Sequence, residues 1–335
     1  MTDEVPEKFS SLRGRRGKVL VALMGLTSSA FFLWLALRNA DLDAVKDALA
    51  EASVGPLVLA VLVLAVCYAF QAARWQRIAD APSLGYRSFY GMLLGGLACN
   101  NVLPVRIGEL LRAGWLSRDA PMPGGRAFGS VVLDRICDVV TLAVFFAIGL
   151  QAVASAAWLV RLAIGALLAV VAIAIALVFA RMYSGRWRAW GASKERGRLA
   201  RVLLDTIEML GQPIGRRHAA LWLGLSACAW TLSSFLVILV GRSVGIEFSP
   251  IEGVFVTSAL ALGVAIPSSP GYIGTYQWIG VAALGLLDVP AEQALAFSIL
   301  MQATWYVPTT LAGGAVIGLR AIRGRPVREP DPNLL

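Results

Sequence analysis

Long apolar stretches, each about the length of a membrane-spanning helix, alternate along the chain with short clusters of charged residues. A helix needs roughly 20 residues to cross about 30 Å of hydrocarbon. Six stretches meet this requirement, and spanning helices are predicted at residues 19–38, 54–74, 127–150, 156–180, 217–241 and 293–319. The pattern therefore predicts an all-α, polytopic integral membrane protein.

Two further apolar segments, 86–116 and 252–287, are broken by polar residues, prolines and glycines into pieces too short to cross. Irregular backbone at membrane depth is tolerated only where it is buried in protein or lines a cavity. Each segment is therefore predicted to enter the membrane as an interrupted helical hairpin and to return to the side from which it came.

The loops on one side of the predicted spans are rich in lysine and arginine, which marks the cytoplasmic side. Basic clusters precede the first span, fill the loop 181–216 and follow the last span. Arg74 is counted among these cytoplasmic loop charges, and Trp75 beside it is predicted to be an interfacial anchor. Lys46 is one of the few positive charges predicted outside.

Both termini are consequently predicted to be cytoplasmic in a multi-pass protein of the cell membrane. The domain boundaries that follow are a tail over 1–18, a membrane domain over 19–320 and a tail over 321–335.

The predicted topology contains an inverted repeat. The second span, the first broken segment and the third span are followed by a group of the same pattern with every direction reversed. The two halves cover about 54–150 and 217–320. Inverted repeats with interrupted helices that meet near the midplane are the architecture of many transporters.

Composition supports a membrane protein and excludes other classes. Of 335 residues 58% are hydrophobic and 15% charged, with a mean hydropathy of +0.70. The net charge of +9 does not indicate nucleic-acid binding, because the arginines form short clusters at the ends of apolar runs. The four cysteines lie in apolar segments without ligand spacing, and the single histidine cannot supply a zinc motif. No metal and no cofactor are predicted.

The stretch "NNVLPVRIGELLR" interrupts the first broken segment with polar residues. A turn at the two asparagines and the proline would be followed by a short amphipathic helix, on which charged residues spaced by three share one face. Such a face would line a polar pocket. The candidate lipid-binding residues here are Asn100, Asn101, Pro104, Arg106, Glu109 and Arg112.

The third span contains "DRICD", which places Asp134 and Asp138 on one helix face with Arg135 adjacent. At 1.5 Å per residue, Asp138 would lie roughly 16 Å deep. Ionisable groups at this depth are costly unless paired, and they mark a functional interior. Two interpretations stay open: these residues bind a ligand, or they form a structural ion-pair network that pins the hairpin.

The second broken segment carries "PSSPGYIGTYQ". Its prolines exclude a helix through 267–271, and a new helix is predicted to begin near Pro270 or Gly271. A helix N-terminus inside the membrane would suit a phosphate, whereas the alternative is a proline-kinked turn without a ligand. The candidate residues are Pro267, Ser268, Ser269, Pro270, Gly271, Gly274 and Gln277.

In combination, "NNVLPVRIGELLR", "DRICD" and "PSSPGYIGTYQ" resemble the membrane domain of lysylphosphatidylglycerol synthases, which also occurs as a stand-alone flippase-like protein. The resemblance covers roughly residues 20–320 and implies a lipid-translocating domain. The expected resemblance is to a family member that lacks the soluble synthase domain, because only 15 residues follow Arg320. Tyr272 and Gln277 depart from the family pattern, which often has glycine and glutamate there.

The predicted function is translocation of a phosphate-bearing lipid, either a phospholipid or a polyprenyl phosphate, between leaflets. The alternatives are a membrane-embedded accessory subunit or enzyme of lipid aminoacylation or glycosylation, and a structural scaffold. The sequence has no phosphate-loop glycines and no metal-ligand cluster, so no autonomous enzyme is predicted. A separate lipid-modifying enzyme is a candidate partner.

Small residues spaced by four predict close helix packing at two places. They are "GMLLG", which begins at Gly91, and "GAVIG", which begins at Gly314.

The predicted topology is testable with single cysteines in a cysteine-free background. A membrane-impermeant thiol reagent added from outside should label Lys46→Cys and spare Ser193→Cys, because the first lies in an outer segment and the second in the cytoplasmic loop. The reverse labelling pattern would contradict the inverted repeat.

Overall fold

A computed structural model describes residues 27, 30–38, 40–103, 107–153, 157–191, 198–264 and 270–323, and all regular structure within these ranges is helical. Residues 30–37 form α1. The helices that follow are α2 (Leu42–Ala50), α3 (Val54–Ala79), α4 (Tyr86–Val102), α5 (Gly108–Asp119), α6 (Gly124–Gly149), α7 (Ala157–Gly191), α8 (Arg198–Leu210), α9 (Arg216–Ser243), α10 (Pro250–Gly263), α11 (Thr275–Gly285) and α12 (Ala291–Ile322). Short 3-10 turns occupy Leu150–Ala152 and Pro270–Tyr272.

Two of these helices, α3 and α9, are long and apolar enough to cross a membrane, with 26 and 28 residues. They correspond to the predicted spans 54–74 and 217–241. The other long helices, α6, α7 and α12, fall on the predicted spans 127–150, 156–180 and 293–319. The all-helical class is confirmed, and the number of crossings stays a prediction.

Both broken segments contain two separate helices. In the first, α4 ends at Val102 and α5 begins at Gly108. In the second, α10 ends at Gly263 and α11 begins at Thr275. Residues 104–106 and 265–269, which carry part of each interruption, lie outside the described ranges.

The predicted start of the helix in the second segment, near Pro270 or Gly271, is wrong by about one turn. Gly271 and Gly274 have φ angles of 73° and 87°, which an α-helix does not permit. The chain instead makes one 3-10 turn, and α11 begins only after Gly274.

Two surface helices, α2 and α8, lie in segments that were predicted as loops, 39–53 and 181–216. Asp41 caps α2 by accepting hydrogen bonds from the backbone N–H groups of Asp43 and Ala44 at 2.9 and 3.4 Å. α8 packs on α6, where the Thr206 hydroxyl donates to the Gly125 carbonyl at 3.0 Å. Helices of this kind contribute no long apolar run, so a search for spanning stretches misses them.

Helices of the two halves of the chain pack against one another. α3 packs along α9, α4 packs on α12, and α10 packs on α6. Within each segment α5 contacts α4 and α6, and α11 contacts α10 and α12. Each hairpin is therefore held between its own half and the other half of the chain.

The helix ends meet in two groups. At one end the Ser53 N–H donates to the Ser243 carbonyl at 2.9 Å, and the Asp41 N–H donates to Glu292 Oε1 at 3.5 Å. At the other end Arg320 on α12 forms an ion pair with Asp119 on α5. The segments predicted to be outside thus share one end, and its orientation relative to the membrane stays a prediction.

Trp75 is a core residue, and its prediction as an interfacial anchor is wrong. Its side chain is completely buried. The ring packs edge-on against Phe89 with the centroids 4.9 Å apart. The prediction failed because α3 continues to Ala79, so Trp75 is not at the end of the helix.

One glycine sets the closest approach of α4 and α12. A Cβ atom at Gly313 would overlap the Leu94 carbonyl oxygen and lie 2.6 Å from the Ala98 Cβ. Gly314 and Gly318, which were predicted to mediate close packing, face open space within the chain. The packing residue is therefore their neighbour, because the helix turns the predicted pair away from α4.

This contrast gives a matched pair of substitutions on α12. Gly313→Ala should destabilise the protein by about 1–3 kcal/mol through overpacking. Gly314→Ala should be neutral or slightly stabilising, because alanine favours the helix and meets no neighbour. Thermal unfolding in detergent compares the two, and equal melting temperatures would contradict the assigned α4–α12 contact.

Candidate functional site

A buried ion-pair cluster lies where α3, α5, α6 and α9 meet. Its centre is Arg74 on α3, whose Nε donates to Asp134 Oδ1 at 2.8 Å and whose Nη1 donates to Asp138 Oδ1 at 2.7 Å. The two aspartates stand one turn apart on α6, so a single guanidinium reaches both. The Arg74 side chain is 0% exposed. Direct pairing makes such burial tolerable, since an unpaired charge there would be costly.

Arg112 on α5 completes the pairing of Asp134. Its Nη2 donates to Asp134 Oδ2 at 2.9 Å, and its guanidinium carbon lies 4.1 Å from the centre of the Trp75 ring. The side chain passes directly over Gly96, where a Cβ atom would come within 2.7 Å of the Arg112 Cγ. Ion pairing, stacking and close packing together fix this side chain in place.

Helix α9 supplies one neutral donor and one neutral acceptor to the same cluster. Trp230 Nε1 donates to Asp138 Oδ1 at 3.0 Å, and Ser226 Oγ accepts from Arg74 Nη1 at 2.7 Å. The hydroxyl of Thr141 on α6 also donates to Ser226 at 2.9 Å. The cluster therefore ties helices of both halves of the chain together.

The part of the cluster formed by Arg135 and Glu109 is looser and more accessible. Arg135 Nη1 lies 3.3 Å from Asp138 Oδ2, and Arg135 Nε lies 3.8 Å from Glu109 Oε1. Their side chains are 38% and 22% exposed. Long contacts and exposure leave this guanidinium free to exchange a partner, unlike the guanidinium of Arg74.

Asn100 forms hydrogen bonds both with Glu109 and with the backbone at the start of α5. Its Nδ2 donates to both carboxylate oxygens of Glu109, at 3.1 and 3.2 Å. Its Oδ1 accepts the Gly108 N–H at 2.7 Å, which satisfies one donor at the start of α5. A Cβ atom at Gly108 would overlap the Gly96 carbonyl oxygen, so the turn depends on glycine.

A second polar cluster surrounds the break between α10 and α11. Gln277 Oε1 accepts the Gly274 N–H at 2.7 Å, and its Nε2 donates to Gln302 Oε1 on α12. Gln302 in turn donates to the Gly271 carbonyl. Tyr272 has a φ of 61°, a region that glycine enters without strain.

The two hairpins meet at Asn101 and Gly271. Asn101 Nδ2 donates to the hydroxyls of Thr309 and Thr310 on α12, at 3.0 and 2.8 Å. A Cβ atom at Gly271 would lie 2.8 Å from the Tyr306 ring and 3.5 Å from the Asn101 carbonyl oxygen. The tips of both interrupted segments therefore pack against the same stretch of α12.

The sequence-predicted residues fall into two groups. One consists of Asn100, Glu109, Arg112, Asp134, Arg135 and Asp138. The other consists of Asn101, Gly271, Gly274 and Gln277. Pro270 lies in the 3-10 turn beside the second group. Outside the described ranges lie Pro104, Arg106, Pro267, Ser268 and Ser269.

Glu109 and Arg112, which were predicted to share one helix face, do not pair with each other. Glu109 accepts a hydrogen bond from Asn100, and Arg112 donates to Asp134.

The most important residue that the prediction missed is Arg74. It was assigned to a cytoplasmic loop, whereas it lies inside α3. The signal in the sequence was the spacing of Gln71, Arg74, Trp75 and Ile78, which repeats at helical intervals and places polar and aromatic residues on one face. Ser226, Trp230, Gln302 and Tyr306 were also missed, because they lie inside the long apolar helices α9 and α12 rather than at an interruption.

The described residues show no arrangement suited to metal chemistry. Within the described ranges no group of three or more His, Cys, Asp or Glu side chains is placed to hold a metal ion. The carboxylates of the ion-pair cluster accept from guanidinium and indole donors instead. The arrangement is suited to holding charge and to exchanging ionic partners.

Long apolar helices, interrupted hairpins and charges compensated in the interior define a helical membrane protein. The chain belongs to the family described as the lysylphosphatidylglycerol synthase TM region, whose profile matches residues 18–313. The resemblance noted from the three sequence motifs is thereby confirmed.

Two curated relatives were found. Glycosyltransferase AglD of Haloferax volcanii is 25% identical over 366 aligned positions, which cover 95% of this chain and 58% of the relative. UPF0104 membrane protein MJ1595 of Methanocaldococcus jannaschii is 28% identical over 138 positions, or 39% of this chain and 41% of the relative. The chain thus covers less than two thirds of each relative.

The central position of Arg74 predicts a strong effect on stability. Arg74→Gln leaves both aspartates without their shared guanidinium and should cost about 3–5 kcal/mol. The matched control is Arg77→Gln on the same helix, whose side chain is exposed and should be nearly neutral. Thermal unfolding in detergent measures both. Adding Asp138→Asn should recover part of the loss, and an Arg74→Gln protein as stable as the control would contradict the assigned pairing.

Proposed function

We propose that this protein translocates a phosphate-bearing lipid, a phospholipid or a polyprenyl phosphate, between the leaflets of the cell membrane. The observation that carries the proposal is the contact between the tips of two interrupted hairpins beside a buried cluster that has one accessible guanidinium. Irregular backbone and charges in a membrane interior mark substrate pathways. Membership of the lysylphosphatidylglycerol synthase TM family supports a role connected with membrane lipids.

An inverted repeat of six spans and two hairpins is part of this proposal. The helix contacts support it, because exchanging α3 with α9, α4 with α10, α5 with α11 and α6 with α12 converts the contacts into one another. The contact of α4 with α12 becomes that of α10 with α6. The contacts of α5 with α6 and of α3 with α4 have counterparts in α11 with α12 and α9 with α10. Repeats of this kind allow one half to rock against the other.

The two parts of the ion-pair cluster have different tasks in this proposal. Arg74, Arg112 and Asp134 are buried and closely paired, so they hold the hairpin against α6. Arg135 is the residue that meets the headgroup, because a guanidinium presents parallel donors that match a phosphate. Asn100 and Asn101 on α4 add amide groups at the tip of the hairpin.

The lipid headgroup would cross the membrane along this polar surface while its acyl chains stay in the bilayer. Arg106 in the first interruption and Ser268 in the second are further candidates for lining this surface. The predicted orientation places both termini in the cytoplasm, so the first hairpin would open to the inside and the second to the outside.

One observation favours a second candidate function. The similarity to AglD, which is named as a glycosyltransferase, extends over 95% of this chain. In this alternative the protein is an accessory subunit or enzyme that adds a sugar or an aminoacyl group to a membrane lipid. It predicts a covalently altered lipid, whereas translocation leaves the lipid unchanged.

Reconstitution of the purified protein distinguishes these functions. Proteoliposomes should contain headgroup-labelled phosphatidylglycerol, aminoacyl-phosphatidylglycerol or polyprenyl phosphate. At least one lipid should change leaflet faster than in protein-free vesicles, with its mass unchanged. Arg135→Gln should slow this movement by about tenfold or more through loss of charge-assisted contacts. Arg77→Gln, an exposed arginine outside the cluster, should not.

Absence of movement for all three lipids and for a wider anionic panel would exclude translocation by the isolated protein. A change in lipid mass with movement at the protein-free rate would establish the enzymatic alternative.

A further inference from the structure

The charges of the ion-pair cluster balance one another. The described members are three arginines, Arg74, Arg112 and Arg135, and three carboxylates, Glu109, Asp134 and Asp138. An anionic headgroup that contacts Arg135 adds a negative charge to this neutral set. An uncompensated charge in an interior of low polarity is strongly disfavoured. Binding of the headgroup therefore requires a compensating positive charge.

Glu109 is the least tightly paired of the three carboxylates. Asp134 has an arginine donor on each oxygen, at 2.8 and 2.9 Å, and is 1% exposed. Asp138 is held by Arg74 at 2.7 Å and by the Trp230 indole. Among the described residues, the contacts of Glu109 are the 3.8 Å ion pair with Arg135 and the hydrogen bonds from the neutral amide of Asn100. It is also more exposed than either aspartate.

We propose that Glu109 takes up one proton when an anionic lipid headgroup binds Arg135 and releases it when the headgroup leaves. This inference rests on the translocation function proposed above. A phosphate oxygen replaces Glu109 as a partner of the Arg135 guanidinium, and the released carboxylate is protonated. Its second oxygen keeps the hydrogen bond from Asn100. One negative and one positive charge thus enter the site together.

The surroundings of Glu109 are consistent with this role. α5 and α6 supply the nearest ionic groups, and α4 adds a thiol beside Glu109. Among the described residues, the charged or titratable groups near Glu109 are Arg135 on α6, Arg112 on α5 and Cys99 on α4. Arg135 and Arg112 connect these groups to Asp138 and Asp134, and both aspartates pair with Arg74. Arg106 stands three residues before Glu109, outside the described ranges.

A lipid with one negative charge would then move together with one proton, so that no net charge crosses the membrane. A pH gradient should drive this movement, and the lipid should accumulate in the leaflet that faces the higher pH. A membrane potential should have no effect. Glu109→Gln removes the proton and leaves the headgroup charge, so the variant should lose the response to the pH gradient and gain a response to the membrane potential.

The experiment uses proteoliposomes with a trace of headgroup-labelled phosphatidylglycerol, or polyprenyl phosphate if only that lipid moves. A potassium gradient with valinomycin sets the potential independently of the pH. For the wild-type protein and phosphatidylglycerol, a gradient of one pH unit should shift the leaflet ratio toward about tenfold. The potential alone should not shift it. Glu109→Gln should ignore the pH gradient and respond to the potential.

Two control variants separate the role of Glu109 from a loss of folding. Glu109→Asp keeps a carboxylate and should retain the response to the pH gradient. Glu51→Gln removes an exposed carboxylate on the opposite group of helix ends and should behave as the wild type does.

The possible outcomes are distinguishable. Wild-type movement that follows the potential and ignores the pH gradient overturns the inference, because a fixed cation such as Arg106 then balances the phosphate. A Glu109→Gln protein that still follows the pH gradient also overturns it. Lipid movement without any gradient shows that translocation itself holds in either case. If the wild-type protein moves no lipid, the proposed function fails and this inference fails with it.

Discussion

The pairing of Arg74 with Asp134 and Asp138 is the interaction on which the rest of the structure depends. A guanidinium and two carboxylates inside an apolar protein must neutralise one another, because neither lipid nor packed side chains can solvate them. Since Arg74 is on α3 and both aspartates are on α6, this requirement fixes two long helices against each other. Arg112 then extends the same requirement to α5. The first hairpin is consequently anchored by charge as well as by packing.

In the second half of the chain, neutral groups make the corresponding contact between helices. Where α5 meets α6 through an arginine and an aspartate, α11 meets α12 through the amides of Gln277 and Gln302. Neutral amides cost less to bury and bind less strongly than ions. At this contact the second hairpin is therefore held by neutral hydrogen bonds, and Gln277 also accepts the Gly274 N–H at the start of α11. A carboxylate at this position could not donate to Gln302.

The sequence was sufficient to predict the helical class, the long apolar helices and the position of both interruptions, because apolar run length and clustered Pro, Gly and Asn report these directly. It was insufficient for Arg74. Counting loop charges requires the end of the helix to be known, and α3 continues five residues past the predicted boundary. The sequence was also insufficient to predict the partners of the charged residues. Spacing placed Glu109 near Arg112, whereas in the structure Glu109 accepts from Asn100 and Arg112 pairs with Asp134. Spacing along one helix cannot show which neighbouring helix lies opposite. The start of α11 was missed for a different reason. A glycine permits a positive φ angle but does not require one, so the sequence does not show where the helix is delayed.

Helix α12 contacts the first hairpin at two places, its tip and its base. Thr309 and Thr310, near its middle, accept from Asn101 at the tip of α4. Arg320, three turns further, pairs with Asp119 at 2.9 Å and lies over Trp115, at the far end of α5. Because a helix is stiff along its axis, any sliding or tilting of α12 acts on the tip and on the base of this hairpin at the same time. Forces applied to the residues after Arg320 would therefore reach the ion-pair cluster through α5, without passing through the second hairpin.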